Sequence, residues 1–287
     1  MQKSLFVVVF FAFCGVSLQT SSANETGEDI FGGSPAAPGQ YPFFVSLVQG
    51  GYWHNCGASL ISDRHVLTAA HCIWPPESPY RFAYQAENAF RQQYSVRLGT
   101  NLNSGGTVYR ISGVKIYPYF NRVNLANDVA VIALSAAVRY TNLIKPVRLL
   151  RSRVGPQSGV VIGLGYLRFD PRTRPPSSLS PTTLQHLSVT IDSDYTCQTS
   201  LFPVHMRSST ACIKGNRAGP LPGDSGSPLL VQRGGGEWWQ AGICSFGDYM
   251  AYMNAINGRV FSPTGYVRVA NYCPFIAQMT RNMAYCQ

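Results

Sequence analysis

The chain has 287 residues, 45% hydrophobic and only 13% charged, a balance that excludes an intrinsically disordered chain and suits one large domain or two small ones. Its 23 basic and 13 acidic residues give a formal charge of +10. The arginines are scattered, however, with Arg148, Arg151 and Arg153 the closest set, and no nucleic-acid motif accompanies them.

At the N-terminus, Lys3 precedes a mostly apolar run from Leu5 to Val16, and Ser21 and Ala23 are small residues where a signal peptidase cuts. Residues 1–23 therefore read as an export signal, and the protein is expected to be secreted and extracellular. No later segment has the roughly 18 uninterrupted apolar residues of a membrane span, so no membrane is expected as a partner. Losing Cys14 with the signal leaves seven of the eight cysteines, an odd number that requires at least one thiol without an intramolecular partner.

Short runs rich in Val, Ile, Leu and Tyr then recur between turn residues: Pro42 to Val48, Tyr94 to Leu98, Val108 to Ile116, Val129 to Leu134, Val160 to Ile162, Trp238 to Cys244 and Tyr266 to Val269. This pattern anticipates an all-β chain. Two stretches between them read as long exposed loops. Trp74 to Glu87 carries Pro75, Pro76 and Pro79; Leu167 to Pro181 carries Pro171, Pro175, Pro176 and Pro181 with three arginines. One helix is expected, over 274–285, where Phe275, Ile276, Met279 and Met283 repeat at helical spacing. Along a continuous helix Cys273 and Cys286 would stand about 20 Å apart, too far for a disulfide.

Three segments carry chemistry. Gly223-Asp224-Ser225-Gly226 surrounds a hydroxyl with glycines that let backbone N–H groups converge on a developing oxyanion. Alone it could be a turn. Thr68-Ala69-Ala70-His71-Cys72 supplies a base beside a cysteine, with Cys56 upstream, and Asn127-Asp128-Val129-Ala130 sets a carboxylate at the start of an apolar strand. A hydroxyl nucleophile needs a base and the base an orienting carboxylate, and His, Asp and Ser in these three settings supply all of them.

Over nearly all of Ile30 to Gln287 the sequence resembles the trypsin/chymotrypsin family. Ile30-Phe31-Gly32-Gly33 looks like its mature N-terminus, Thr68 to Cys72 its histidine motif, Asn127 to Val131 its aspartate motif, Gly223 to Pro228 its serine motif and Ser245-Phe246-Gly247 its substrate-binding strand. The resemblance implies two antiparallel six-stranded β-barrels over about 30–145 and 146–272, with the active site in the cleft between them. It implies that His71, Asp128 and Ser225 are catalytic, that the N–H groups of Gly223 and Ser225 form an oxyanion hole, and that Ser245 supports Asp128. It also implies a zymogen with a short propeptide, residues 24–29, removed by a protease cutting after Asp29, so that the Ile30 ammonium pairs with Asp224. Cys56–Cys72 and Cys197–Cys212 match two family bridges.

This chain departs from the family at several places. Leu221, Gly159 and Val231 stand where relatives carry cysteines, Ser227 replaces a glycine, and Asp29 stands where most relatives carry Arg or Lys. Gly219 falls at the base of the primary pocket, where trypsins place an Asp. With Phe246 and Gly247 on the wall and Thr264 narrowing it, the pocket suits an uncharged residue before the cut, chymotrypsin-like or elastase-like. Protein or peptide substrates and protein protease inhibitors are the implied partners, with no metal or other cofactor; the loop Gly99 to Gly106 has no acidic ligand for calcium. The alternative class is a non-catalytic homologue acting as a secreted binding or regulatory module.

Overall fold

A computed structural model describes residues 30, 32–170, 177–200, 209–214, 218–247 and 263–287; the export signal, the propeptide and the Asp29 cut lie outside the described residues. Two closed antiparallel barrels make up the fold. The first runs through strands Phe44–Gln49, Trp53–Leu60, His65–Thr68, Ala130–Leu134, Thr107–Ile116 and Tyr94–Leu98, the last pairing back onto the first. The second runs through Gln185–Ile191, Thr210–Ile213, Thr264–Arg268, Glu237–Gly247, Pro228–Arg233 and Gln157–Gly163, and closes as the last pairs with the first of these. Ser34–Pro35, ahead of the first barrel, adds to the edge of the second through Gln185 and His186.

The strand runs anticipated from composition are all present, within a few residues at their ends. β-Branched and aliphatic side chains fill both interiors, with Val45, Leu47, Val66, Leu67 and Ile132 fully buried in the first barrel and Leu229, Leu230 and Ile243 in the second. Contacts continue from one barrel to the other through Leu230, Ile243 and Val267. A buried polar link, Ser59 Oγ donating to Gln240 Oε1, joins them as well.

Four expectations need correction. Residues Trp74 to Glu87 are not wholly loop, because helix Ala83–Gln93 begins inside them. Alanines and straight-chain residues favour it, Ala86 and Phe90 turn one narrow stripe inward, and Gln85 Oε1 accepts the Phe82 N–H at its start. Glu87 then ties the helix to strand Thr107–Ile116 by accepting from the Ile116 N–H and Lys115. Within Leu167 to Pro181, strands Arg168–Asp170 and Ser177–Leu179 pair as a hairpin.

The C-terminal helix is also shorter than expected, covering Cys273–Met279. The Thr280 hydroxyl caps it by donating to Ile276 O and accepting from the Ala284 N–H. Arg281 and Asn282 then take left-handed φ values of 51° and 61°. The chain reverses there, bringing Cys286 back to Cys273 with the Cα atoms 5.6 Å apart, and the disulfide that a continuous helix forbids is formed. Cys56–Cys72 and Cys197–Cys212 are bonded too, leaving Cys244 as the one free thiol among the described residues.

Candidate active site

His71 sits in a single 3₁₀ turn, Ala70–Cys72, that follows strand His65–Thr68. Asp128 stands two residues before strand Ala130–Leu134, the neighbour of that strand in the barrel. The paired strands thus bring the two side chains together. Asp128 is fully buried and accepts three hydrogen bonds: from the His71 N–H at 2.8 Å, His71 Nδ1 at 2.6 Å and Ser245 Oγ at 2.6 Å. Nδ1 therefore carries a proton and Nε2 is left as the acceptor of a neutral ring. Burial alone would depress the His71 pKa. The Asp128 charge and hydrogen bond outweigh it, Glu77 adds to them, and the pKa lies above the ordinary imidazole value.

Asn127 prepares this geometry with a left-handed φ of 59°, a conformation that Asn tolerates better than most residues. Its side chain is held at both ends, accepting from Tyr272 Oη and donating to Tyr119 O.

Ser225 lies in a loop pinned from both barrels. Its carbonyl accepts the Gly57 N–H at 2.8 Å, the Gly226 N–H reaches Cys244 O, and the Cys244 N–H reaches Ser227 O. Gly223 adopts φ +100°, and a Cβ there would lie 2.8 Å from Gly165 Cα, so no other residue fits. Among the described residues no acceptor engages the N–H of Gly223 or of Ser225. Ser225 and His71 line one open cleft that runs over the Cys56–Cys72 bridge. Cys56, His71 and Cys72 group closely enough to resemble metal ligands, but both sulfurs are committed to the disulfide.

Asp224 points the other way, into the second barrel. It is buried, and it accepts the N–H groups of Leu221 and Gly165 at 2.9 and 2.8 Å. A Cβ at Gly163 would fall 1.8 Å from Asp224 Oδ1 and one at Gly165 2.5 Å from its Cγ, so both glycines make room for this carboxylate. Burial pushes its pKa up to about 7 despite the two N–H donors, and among the described residues it has no ion-pair partner. Ile30 is 1% exposed and holds a left-handed φ of 37°, strained for a β-branched residue.

The expected pocket residues lie partly together. Phe246 pairs with Gly265 and Gly247 with Thr264 across neighbouring strands. The Phe246 ring covers Gly265 so closely that a Cβ there would meet it at 2.4 Å. Gly219 is buried in the approach to Ser225; residues 215–217 and 248–262 lie outside the described residues. None of Gly219, Ser245, Phe246, Gly247 and Thr264 carries a charge.

Sequence reasoning missed His54 and Ser46. His54 Nε2 donates to Gly223 O at 2.9 Å, and its Nδ1 accepts from Ser46 Oγ at 2.7 Å. The pair fixes the Gly223–Asp224 peptide from the first barrel. Ser227, read from the sequence as an added side chain near the catalytic loop, is buried with its hydroxyl unpartnered, and a Cβ on Gly57 would stand 1.8 Å from that oxygen.

A carboxylate buried between two barrels and orienting an imidazole that shares a cleft with a glycine-flanked serine is the arrangement of trypsin-like domains. The trypsin family model matches residues 30–276, and the chain belongs to that family. It is 31% identical over 258 residues to transmembrane protease serine 9 of Rattus norvegicus, covering 88% of this chain and 22% of that protein. Trypsin delta of Drosophila melanogaster is 29% identical over 231 residues, covering 78% of this chain and 81% of the relative. Transmembrane protease serine 11C of Mus musculus is 30% identical over 261 residues, covering 88% of this chain. The chain spans about a fifth of the rat protein and about half of the mouse one. No helix among the described residues is long and apolar enough to cross a membrane.

Proposed function

We propose that the chain is a secreted serine endopeptidase, with Ser225 as nucleophile, His71 as general base and then acid, and Asp128 as the group that holds His71. The observation that carries this reading is the fully buried Asp128 carboxylate, which accepts both the N–H and Nδ1 of His71 while His71 shares a cleft with Ser225. Nε2 takes the Ser225 proton as Oγ bonds to the scissile carbonyl carbon. The carbonyl oxygen becomes an oxyanion held by the N–H groups of Gly223 and Ser225. The intermediate collapses with cleavage of the C–N bond, and His71 gives its proton to the leaving amine. Water, deprotonated by His71, then releases the acid from the acyl-enzyme and restores Ser225.

The uncharged set Gly219, Phe246, Gly247 and Thr264 favours a neutral residue before the cut, since none of these residues offers a buried cation a counter-charge. Chymotrypsin-like and elastase-like preferences both satisfy this. Activation follows cleavage after Asp29, when the new Ile30 ammonium pairs with Asp224 and relieves its unpartnered burial. Protein protease inhibitors are the natural antagonists of such a cleft. The three disulfides and the leader composition of residues 1–23 favour secretion.

Peptide substrates varied at the residue before the cut test this reading, with protein cut to begin at Ile30. Turnover of Phe, Tyr, Leu or Ala substrates and not of Arg substrates is expected. Turnover of Arg substrates overturns the neutral pocket, and turnover of none moves the non-catalytic module to first place.

A further inference from the structure

The cleft that holds His71 and Ser225 contains none of Gly219, Ser245, Phe246, Gly247 or Thr264. It runs instead across the Cys56–Cys72 bridge, toward the segment Trp74–Gln93. A substrate with its acyl-side residue in the neutral pocket must therefore send its leaving-group side into this cleft. The cleft encloses about 560 Å³, enough for more than one side chain.

Its far wall belongs to the segment whose helix escaped sequence reasoning. Phe90 and Tyr94 stack with ring centroids 4.2 Å apart and planes 7° from parallel, and Tyr80 and Gln93 stand nearby. The loop before the helix is anchored from the neighbouring Tyr119–Asn127 segment. Arg122 donates to the carbonyls of Tyr80, Pro76 and Ser78 and lies over the Trp74 ring at 4.7 Å. Glu77 sits within this anchored stretch. It is exposed, has no ion-pair partner among the described residues, and is the one acidic side chain lining the cleft. No Lys or Arg lines it.

We infer that this wall is a leaving-group-side subsite selecting a cationic residue, with Glu77 pairing an Arg or Lys side chain of the substrate and the Tyr80 and Tyr94 rings packing its stem. The inference rests on the proteolytic reading above. Guanidinium and ammonium groups suit such a site because an aromatic face and a carboxylate attract the same cation. The charge of Glu77 is also felt at the reacting centre, where it helps hold up the His71 pKa.

The test uses the full domain cut to begin at Ile30 and peptides with one neutral residue before the cut. The two residues after the cut are varied among Arg, Lys, Gln and Glu. The expected wild-type order places Arg and Lys above Gln by about three- to fivefold in kcat/KM at low salt, the range of a solvent-accessible ion pair, shrinking as salt rises. Measured above the acid limb of both enzymes, Glu77→Gln brings Arg, Lys and Gln peptides to equal kcat/KM, and Glu77→Lys reverses the order in favour of Glu. A preference that persists in Glu77→Gln, or equal turnover of Arg and Gln peptides by the wild type, overturns the subsite and leaves the protease standing. Failure to cut any peptide overturns both.

Discussion

His54 reaches across from the first barrel to hold the Gly223 carbonyl at 2.9 Å, and it does so as a neutral ring. Burial depresses its pKa to about 4, only partly opposed by the bond to Gly223, so Nε2 donates while Nδ1 accepts from Ser46. The peptide it orients adjoins two N–H groups proposed to meet the oxyanion. His54→Leu is expected to lower kcat by one to two orders of magnitude with KM little changed, less than the full loss of an oxyanion donor. His54→Gln, which can still donate, restores part of that loss. A parallel change in kcat and KM, or no rescue by Gln, would assign His54 a purely structural role.

The same residue gives stability a pH dependence. Its folded pKa lies below the unfolded value, so its contribution is complete above about 6.5 and is lost as pH falls toward 4. Asp224 has the opposite sign. Its folded pKa of about 7 exceeds the unfolded carboxylate value, so uncut protein loses stability as pH rises between about 4 and 7. Each effect is on the order of 2–4 kcal/mol, and in uncut protein they largely cancel. Cutting before Ile30 supplies a cation for Asp224 and should leave the His54 slope alone, with urea midpoints rising from pH 4 to 6.5. Identical pH profiles before and after the cut would rule out the Ile30–Asp224 pair.

Ser227 is packed against Gly57 with a buried hydroxyl that has no partner. An unpaired buried hydroxyl costs about 1–3 kcal/mol. Ser227→Ala keeps the Cβ and removes the orphan oxygen, so a gain of about 1 kcal/mol in unfolding free energy is expected, read from denaturant midpoints. Gly165→Ala should do the reverse, since the added Cβ would lie 2.7 Å from the Asp224 backbone N. A loss of about 1–3 kcal/mol is expected, with turnover falling as the Asp224–Ser225 loop shifts. A stable, fully active Gly165→Ala would contradict the account of that glycine.

Asp128 raises the His71 pKa against the effect of burial, and the proposed mechanism needs this ring neutral. The acid limb of kcat/KM is therefore expected above the ordinary imidazole value near 6.5. Glu77→Gln should move it to lower pH. An acid limb below 6 in the wild type would argue that the cleft does not hold His71 as described.

Much of this was legible because the chemistry is local. Gly223 to Gly226, Thr68 to Cys72 and Asn127 to Ala130 each announce themselves by residue type, and the apolar runs mark seven of the twelve barrel strands. Trp53–Leu60, His65–Thr68, Gln185–Ile191, Thr210–Ile213 and Pro228–Arg233 carry too many polar or small residues, or runs too short, to stand out. The rest depends on tertiary context. Helix Ala83–Gln93 buries only Ala86 and Phe90, too thin a stripe to stand out beside three prolines. The Cys273–Cys286 bridge depends on Arg281 and Asn282 entering the left-handed region, which the Thr280 cap makes possible but apolar spacing hides. His54 and Ser46 gain their role from strand register, and nothing in their immediate neighbours signals it.

The central claim, that Ser225 is a nucleophile activated by His71, is tested most directly by fluorophosphonate labelling of protein cut to begin at Ile30. Covalent labelling at Ser225, lost in Ser225→Ala and strongly slowed in His71→Ala, is the expected result. An absence of labelling in folded, cut wild-type protein would contradict it and leave the fold as a binding module.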